Sequence, residues 1–239
     1  MPTSNPRGSG WIISGGGRSV VPLKPGNAGG GKGPQFEGSV ERGEVEETDV
    51  SLQAPLKLQK LQQTLHAKAK GSPEFRFYAL YDKIYREDVL SYAYGLAREN
   101  KGEPGVDGED FTAIEAYGVE RWLGELAQSL KEKCYRASPV RRVYIPKPNG
   151  QRRPLGIPTI RDRVVQGALK LVLEPIFEAD FQDGSFGYRP KRTAHAAVNR
   201  VTEAVVKSKT RVIDIDLRGY FDNIRHDILL RKVAKRVND

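Results

Sequence analysis

The chain has 239 residues, a formal net charge of +9 and a pI near 9.6. That length holds one or two domains, and the excess of cations points to a polyanionic partner. A single cysteine, Cys134, excludes an internal disulfide framework and a multi-cysteine zinc site, and no apolar run is long enough to span a bilayer.

Residues 1–55 are rich in Gly, Ser and Pro and lack periodic apolar positions. Such a segment cannot bury enough surface to offset its ordering entropy, so it reads as a disordered tail. Its start lacks the basic-then-apolar order of a signal peptide, which together with the lone cysteine fits a cytoplasmic protein with no membrane partner. Residues 56–138 read as a helical extension. Leu58, Leu61 and Leu65 lie at helical spacing, and Gly71-Ser72-Pro73 closes that helix. A second helix is expected over about 74–85, carrying Phe77, Tyr78, Tyr81 and Ile84, and a third over about 86–100. The turn-rich segment Gly102 to Gly108 follows, then an amphipathic helix with Val119, Trp122, Leu123, Leu126 and Leu130. The aromatic residues of these helices read as core before they read as base-stacking platforms.

From Pro139 the period changes. Arg141 to Ile145 and Arg153 to Ile157 read as strands, and the Asn149-Gly150 pair between them is a hairpin turn signal. Over 131–163 there are ten basic residues and two acids, so this stretch holds nearly the whole net charge. A solvated face would mix signs, whereas a one-sign hairpin suits phosphate contact. Thr159 with Asp162 resembles a capping box opening a helix that Pro175 kinks or ends, and Thr193 caps another. The stretch Arg211 to Leu217 then reads as a strand. Its alternation puts Asp214 and Asp216 on one face and Ile213, Ile215 and Leu217 on the other. Two carboxylates on one strand face call for water, a divalent cation or nearby arginines, and the pattern alone leaves these open. His66, His195 and His226 have no ligand-spaced partners, so each reads as packing, capping or solvent-exposed. A last helix carries Ile228, Leu229 and Val233.

Three of these segments resemble a known family. Tyr144-Ile145-Pro146-Lys147-Pro148-Asn149-Gly150-Gln151-Arg152-Arg153-Pro154-Leu155-Gly156-Ile157-Pro158 resembles the first reverse-transcriptase block of group II intron proteins. Phe186-Gly187-Tyr188-Arg189-Pro190 with the following Lys191 to His195 resembles the second, and Asp214 to Leu230 the third. Gly102 to Gly108 resembles a loop of the upstream extension. The resemblance implies an α+β chain, mainly helical with a basic β-hairpin, forming the fingers and the start of the palm of a right-hand polymerase over 139–239.

The same resemblance implies RNA-directed DNA polymerase and maturase function, with intron or template RNA, a DNA primer and dNTP as partners. It implies two-metal nucleotidyl transfer with Mg2+, in which Asp216 is the catalytic metal ligand and the Leu217 carbonyl lies beside it. Lys147 and Arg153 would reach the incoming nucleotide, and Phe221 would exclude a 2′-hydroxyl. Arg141, Arg142, Arg152 and Arg189 would meet RNA. The family's second acidic motif, an aromatic-x-Asp-Asp turn, has no counterpart, since no Asp-Asp pair occurs in the 239 residues. The chain alone is therefore expected to be inactive, as a truncated, degenerate or split form whose partner would be a C-terminal half. Two alternatives stand beside this reading. One is a non-catalytic intron RNA-binding module. The other is an Asp-x-Asp phosphotransferase using Asp214 as nucleophile and Asp216 as general acid, against which Arg218 stands where Thr or Val is usual.

Overall fold

The computed structural model describes residues 52–146, 150–217 and 219–239. The tail expected over 1–55 lies outside these residues except for its last four, as do Lys147 and the Pro148-Asn149 part of the hairpin turn. The elements in order are α1 (Leu56–Gly71), α2 (Tyr81–Ile84), α3 (Glu87–Glu99), α4 (Phe111–Tyr117), α5 (Val119–Lys131), β1 (Arg141–Pro146), β2 (Arg152–Ile157), α6 (Ile160–Glu178), α7 (Ala194–Val206) and α8 (His226–Val233), with a 3-10 turn at Phe221–Asn223 before the last.

The central element is α6. Its Ile160, Val164, Ala168, Val172 and Ile176 are fully buried, one every fourth residue, and form the stripe against which α1 and α3 pack. Helix α3 comes close because Gly167 faces Ala93, where an added Cβ would lie 3.3 Å from the alanine methyl. Trp122, Leu126 and Leu130 of α5 close the same core. One hydrophobic cluster therefore runs through residues on both sides of the hairpin, from Leu58 to Ala179.

Thr159 opens α6 in the expected way. Its hydroxyl accepts from the Asp162 backbone N–H at 3.0 Å and donates to the Asp162 carboxylate at 2.8 Å. Asp162 is buried, yet Tyr135 Oη and the Ser138 backbone N–H also donate to it. A carboxylate at a helix N-terminus that accepts three hydrogen bonds is a satisfied charge. Burial, then the hydrogen bond to Asp162, raises the Tyr135 phenol far above its ordinary range, so it stays a donor.

Pro175 does not end α6, which continues to Glu178. A proline has no N–H for the carbonyl four residues back. That carbonyl, Leu171 O, instead accepts from Gln62 Nε2 of α1 at 3.1 Å. One turn on, His66 Nδ1 donates to Pro175 O at 3.1 Å, and Lys70 Nζ reaches Ala179 O at 3.5 Å. Three α1 side chains, each four residues apart, thus occupy the carbonyls of the α6 end.

Two expected elements differ. The helix foreseen over 74–85 shrinks to the single turn of α2, and Phe77 instead forms a parallel bridge with Val237. Its N–H donates to Arg236 O at 2.8 Å, and its carbonyl accepts from Asn238 N–H at 2.7 Å. The strand foreseen over 211–217 is absent: those residues form no ladder, and Val212, Ile213, Ile215 and Leu217 are exposed. A strand with one apolar face needs both a neighbouring ladder and a cover for that face, and the described residues provide neither. Helix α7 is similarly uncovered; its capped start holds, with Ala196 N–H donating to Thr193 Oγ1 at 3.1 Å, but none of its residues is buried. Helix α4 was not foreseen from periodicity, although Asp110 caps it at 2.8 Å through the Ala113 N–H.

Among the described residues, no helix is long and apolar enough to cross a membrane.

Candidate nucleic-acid interface and carboxylate segment

The hairpin pairs antiparallel in the register Arg141↔Ile157, Val143↔Leu155 and Ile145↔Arg153, with Arg142↔Gly156, Tyr144↔Pro154 and Pro146↔Arg152 between them. Burial alternates along β1 and along β2 as far as Leu155. Val143, Ile145, Leu155 and Ile157 therefore line the half-buried face with Arg141 and Arg153. The opposite face presents Arg142, Tyr144 and Arg152 to solvent, with Tyr144 54% exposed. Two guanidinium groups flanking an exposed aromatic ring suit a phosphate backbone with stacked bases.

The base of the hairpin is clamped by the loop over 102–108. Arg141 Nε donates to Pro104 O at 3.0 Å, and its Nη2 meets Glu103 Oε2 at 2.5 Å. Arg163 of α6 donates to Pro158 O at 3.1 Å and to Glu103 O. Gly105 lies flat on the cap of α6: an added Cβ would be 2.6 Å from Thr159 Cα. Arg141, expected at the RNA, is thus engaged in holding the hairpin to the helical core. The roles of Glu103 and Arg163 were not foreseen, because the tie joins a loop and a helix sixty residues apart.

Arg189 departs further from expectation. It is 9% exposed, and its guanidinium donates to both carboxylate oxygens of Glu178 at 2.6–3.1 Å and to the Gln182 and Ser185 carbonyls at 2.7 and 2.8 Å. A guanidinium so enclosed braces the loop after α6 and has no donor face left for RNA. The Arg189 hydrogen bonds hold the Glu178 carboxyl below its ordinary range.

Asp214 and Asp216 are exposed, and neither is ion-paired among the described residues. Asp216 Oδ1 accepts from the Leu217 backbone N–H at 2.9 Å, a local bond that leaves Oδ2 open. Phe221 follows in the 3-10 turn, exposed, its ring 5.4 Å edge-on from that of Tyr220. Lys147 falls outside the described residues, and Arg153 lies on the half-buried hairpin face. The described residues contain no group of three or more metal-ligating side chains. A divalent cation takes six or more oxygen ligands, so the expected ligands, Asp216 and the Leu217 carbonyl, would supply only part of a donor set.

Residues 145–238 match the family described as reverse transcriptase (RNA-dependent DNA polymerase). This segment belongs to that family. The wider chain is 39% identical over 189 residues to Protein YkfC of Escherichia coli K12, covering 76% of this chain and 49% of that protein. It is 36% identical over 164 residues to the group II intron-encoded protein LtrA of Lactococcus lactis, covering 68% of this chain and 27% of LtrA. Nuclear intron maturase 2 of Arabidopsis thaliana shares 37% identity over 79 residues, 33% of this chain and 11% of that protein. The chain spans about half the length of YkfC, or less, in these relatives. The similarity is therefore to the reverse-transcriptase portion of group II intron proteins. The phosphotransferase alternative falls away, because the described residues hold only a two-stranded antiparallel sheet and its Asp-x-Asp lies inside the reverse-transcriptase match.

Proposed function

We propose that this chain supplies the RNA grip and the first carboxylate of an RNA-directed DNA polymerase of the group II intron type. In this reading, residues 56–138 form the helical extension, and 139–239 form the fingers and the beginning of the palm. The observation that carries it is the exposed Arg142–Tyr144–Arg152 face, held rigidly to the core within reverse-transcriptase sequence. Arg142 and Arg152 bind template or intron RNA phosphates, and Tyr144 stacks on a base. Arg153 and Lys147 take the triphosphate of the incoming dNTP, and Phe221 lies beneath its sugar. Asp216 would hold Mg2+, which would supply activation of the primer 3′-hydroxyl and stabilisation of the leaving pyrophosphate.

The partial donor set limits what the chain does alone. With no Asp-Asp pair in its 239 residues, it binds RNA without extending a primer. The same observation favours a second reading, a non-catalytic RNA-binding module of the intron maturase kind. RNA binding is common to both and is tested first. The double variant Arg142→Gln with Arg152→Gln lowers affinity for structured RNA and flattens its salt dependence by roughly two charges' worth of slope. Equal affinity and slope for the variant and the parent chain would reject the hairpin as the contact surface.

A further inference from the structure

A cavity of about 500 Å3 opens between α5, α6 and α2, on the opposite end of α5 from its cap at Gly118. That volume lies within the range of about 300–1,000 Å3 occupied by small-ligand pockets. Its floor is buried Leu130, and its walls are Leu169 and the rings of Tyr81 and Tyr135. Neither phenol disturbs the apolar interior. Tyr81 Oη donates to Leu130 O at 2.7 Å, and Tyr135 Oη to Asp162.

The rim is cationic. Lys133 and Arg136 are both exposed there. Lys133 sits at φ 58°, a left-handed turn conformation that directs the chain round the end of α5, and its Nζ lies 5.9 Å from the Tyr81 ring centre. Arg136 uses Nη1 on the carbonyls of Lys133 and Tyr135. Neither cation is ion-paired among the described residues. The one acid at the cavity, Asp239, has Oδ2 fixed by the backbone N–H groups of Leu80 and Tyr81 at 2.5 and 2.6 Å, while Oδ1 remains an acceptor.

Flat apolar walls, two cations at the rim and one oriented acceptor describe the parts of a nucleotide: a base, its phosphate and the N–H donors of an unpaired base edge. We propose that this cavity takes an unstacked nucleobase of single-stranded RNA, with the adjoining phosphate on Lys133 and Arg136. The inference rests on the RNA-binding reading above and adds a second contact, separate from the hairpin face.

The test uses the 239-residue chain and a fluorescent single-stranded RNA of about ten nucleotides, a length within single-strand site sizes, carrying one 4-thiouridine. A fully paired duplex of the same sequence is the comparison. Leu169→Trp fills the cavity from an exposed position. It weakens single-strand binding by about 5- to 150-fold, the loss expected for one stacked base, and leaves duplex binding unchanged. Irradiation of the parent complex cross-links the 4-thiouridine to a peptide containing Tyr81 or Tyr135, a readout that stands even if Leu169→Trp does not fold. Single-strand binding by the parent with cross-links only to other peptides overturns this inference and leaves the hairpin reading intact. No RNA binding by the parent overturns both.

Discussion

At the scale of single residues, the buried charges define what the loops can do. Arg189 and Glu178 form an enclosed pair, with side chains 6% and 18% exposed. Removing one partner of such a pair leaves an uncompensated charge and costs about 3–5 kcal/mol. Arg189→Met is therefore expected to lower stability by that order in chemical denaturation. The depressed Glu178 carboxyl fixes the pH behaviour. Its contribution is full above the unfolded value of about 4.3 and is lost as pH falls through the lower folded value. The melting temperature of Arg189→Met should accordingly fall less steeply on acidification than that of the parent. Tyr94 presents the opposite case. It is buried in the α3–α5 core, and its hydroxyl has no hydrogen-bond partner among the described residues. Tyr94→Phe removes an unsatisfied group, so stability measured by denaturant unfolding should stay equal or rise by up to about 1 kcal/mol; a clear loss would contradict an unsatisfied hydroxyl.

At the scale of elements, helices were legible where periodicity and caps agreed. Leu58, Leu65, Val164 and Trp122 signalled their faces directly, and Thr159 and Thr193 marked starts that the structure keeps. The Arg211 to Leu217 segment was misread because alternation describes a strand's faces but cannot supply the neighbour that the ladder needs. Phe77 was misread because its fate depends on residue 237, far along the chain. The same long-range tie explains Arg236, which sequence presents as one more cation beside Lys232 and Lys235. It is 5% exposed, donates to the carbonyls of Ala69, Ser72, Pro73 and Phe75, and lies 2.9 Å from Asp180 in an ion pair without hydrogen-bond geometry. The site was half legible: alternation placed Arg142 and Arg152 on one hairpin face, but nothing local revealed that Arg141 and Arg189 would be taken up by Glu103 and Glu178. Gly105 is the point where the loop and the hairpin support meet. Gly105→Ala forces a methyl into Thr159 and is expected to cost about 1–3 kcal/mol by thermal or denaturant unfolding. It should also weaken RNA binding, since the hairpin base shifts with the loop.

At the scale of the whole molecule, the charge and the apolar surface are divided. A tightly packed core runs from Leu58 to Ala179, while α7, the Asp216 segment and α8 leave Val198, Val205, Ile213, Leu217 and Leu230 exposed. The end of the chain is nevertheless anchored, through Arg236 and the Phe77–Val237 bridge, so the carboxylate segment is a long excursion held at both ends. Exposed apolar side chains beside a carboxylate with no ion pair among the described residues are what part of a polymerase palm would present, and this is the centre of the proposed function. The most direct measurement is primer extension on an RNA template with Mg2+ and dNTP, by the chain alone and after addition of a polypeptide bearing an aromatic-x-Asp-Asp palm segment. No extension by the chain alone, extension in the mixture and its loss in Asp216→Asn are the expected results; extension by the unaided chain, or by the mixture carrying Asp216→Asn, would contradict the account.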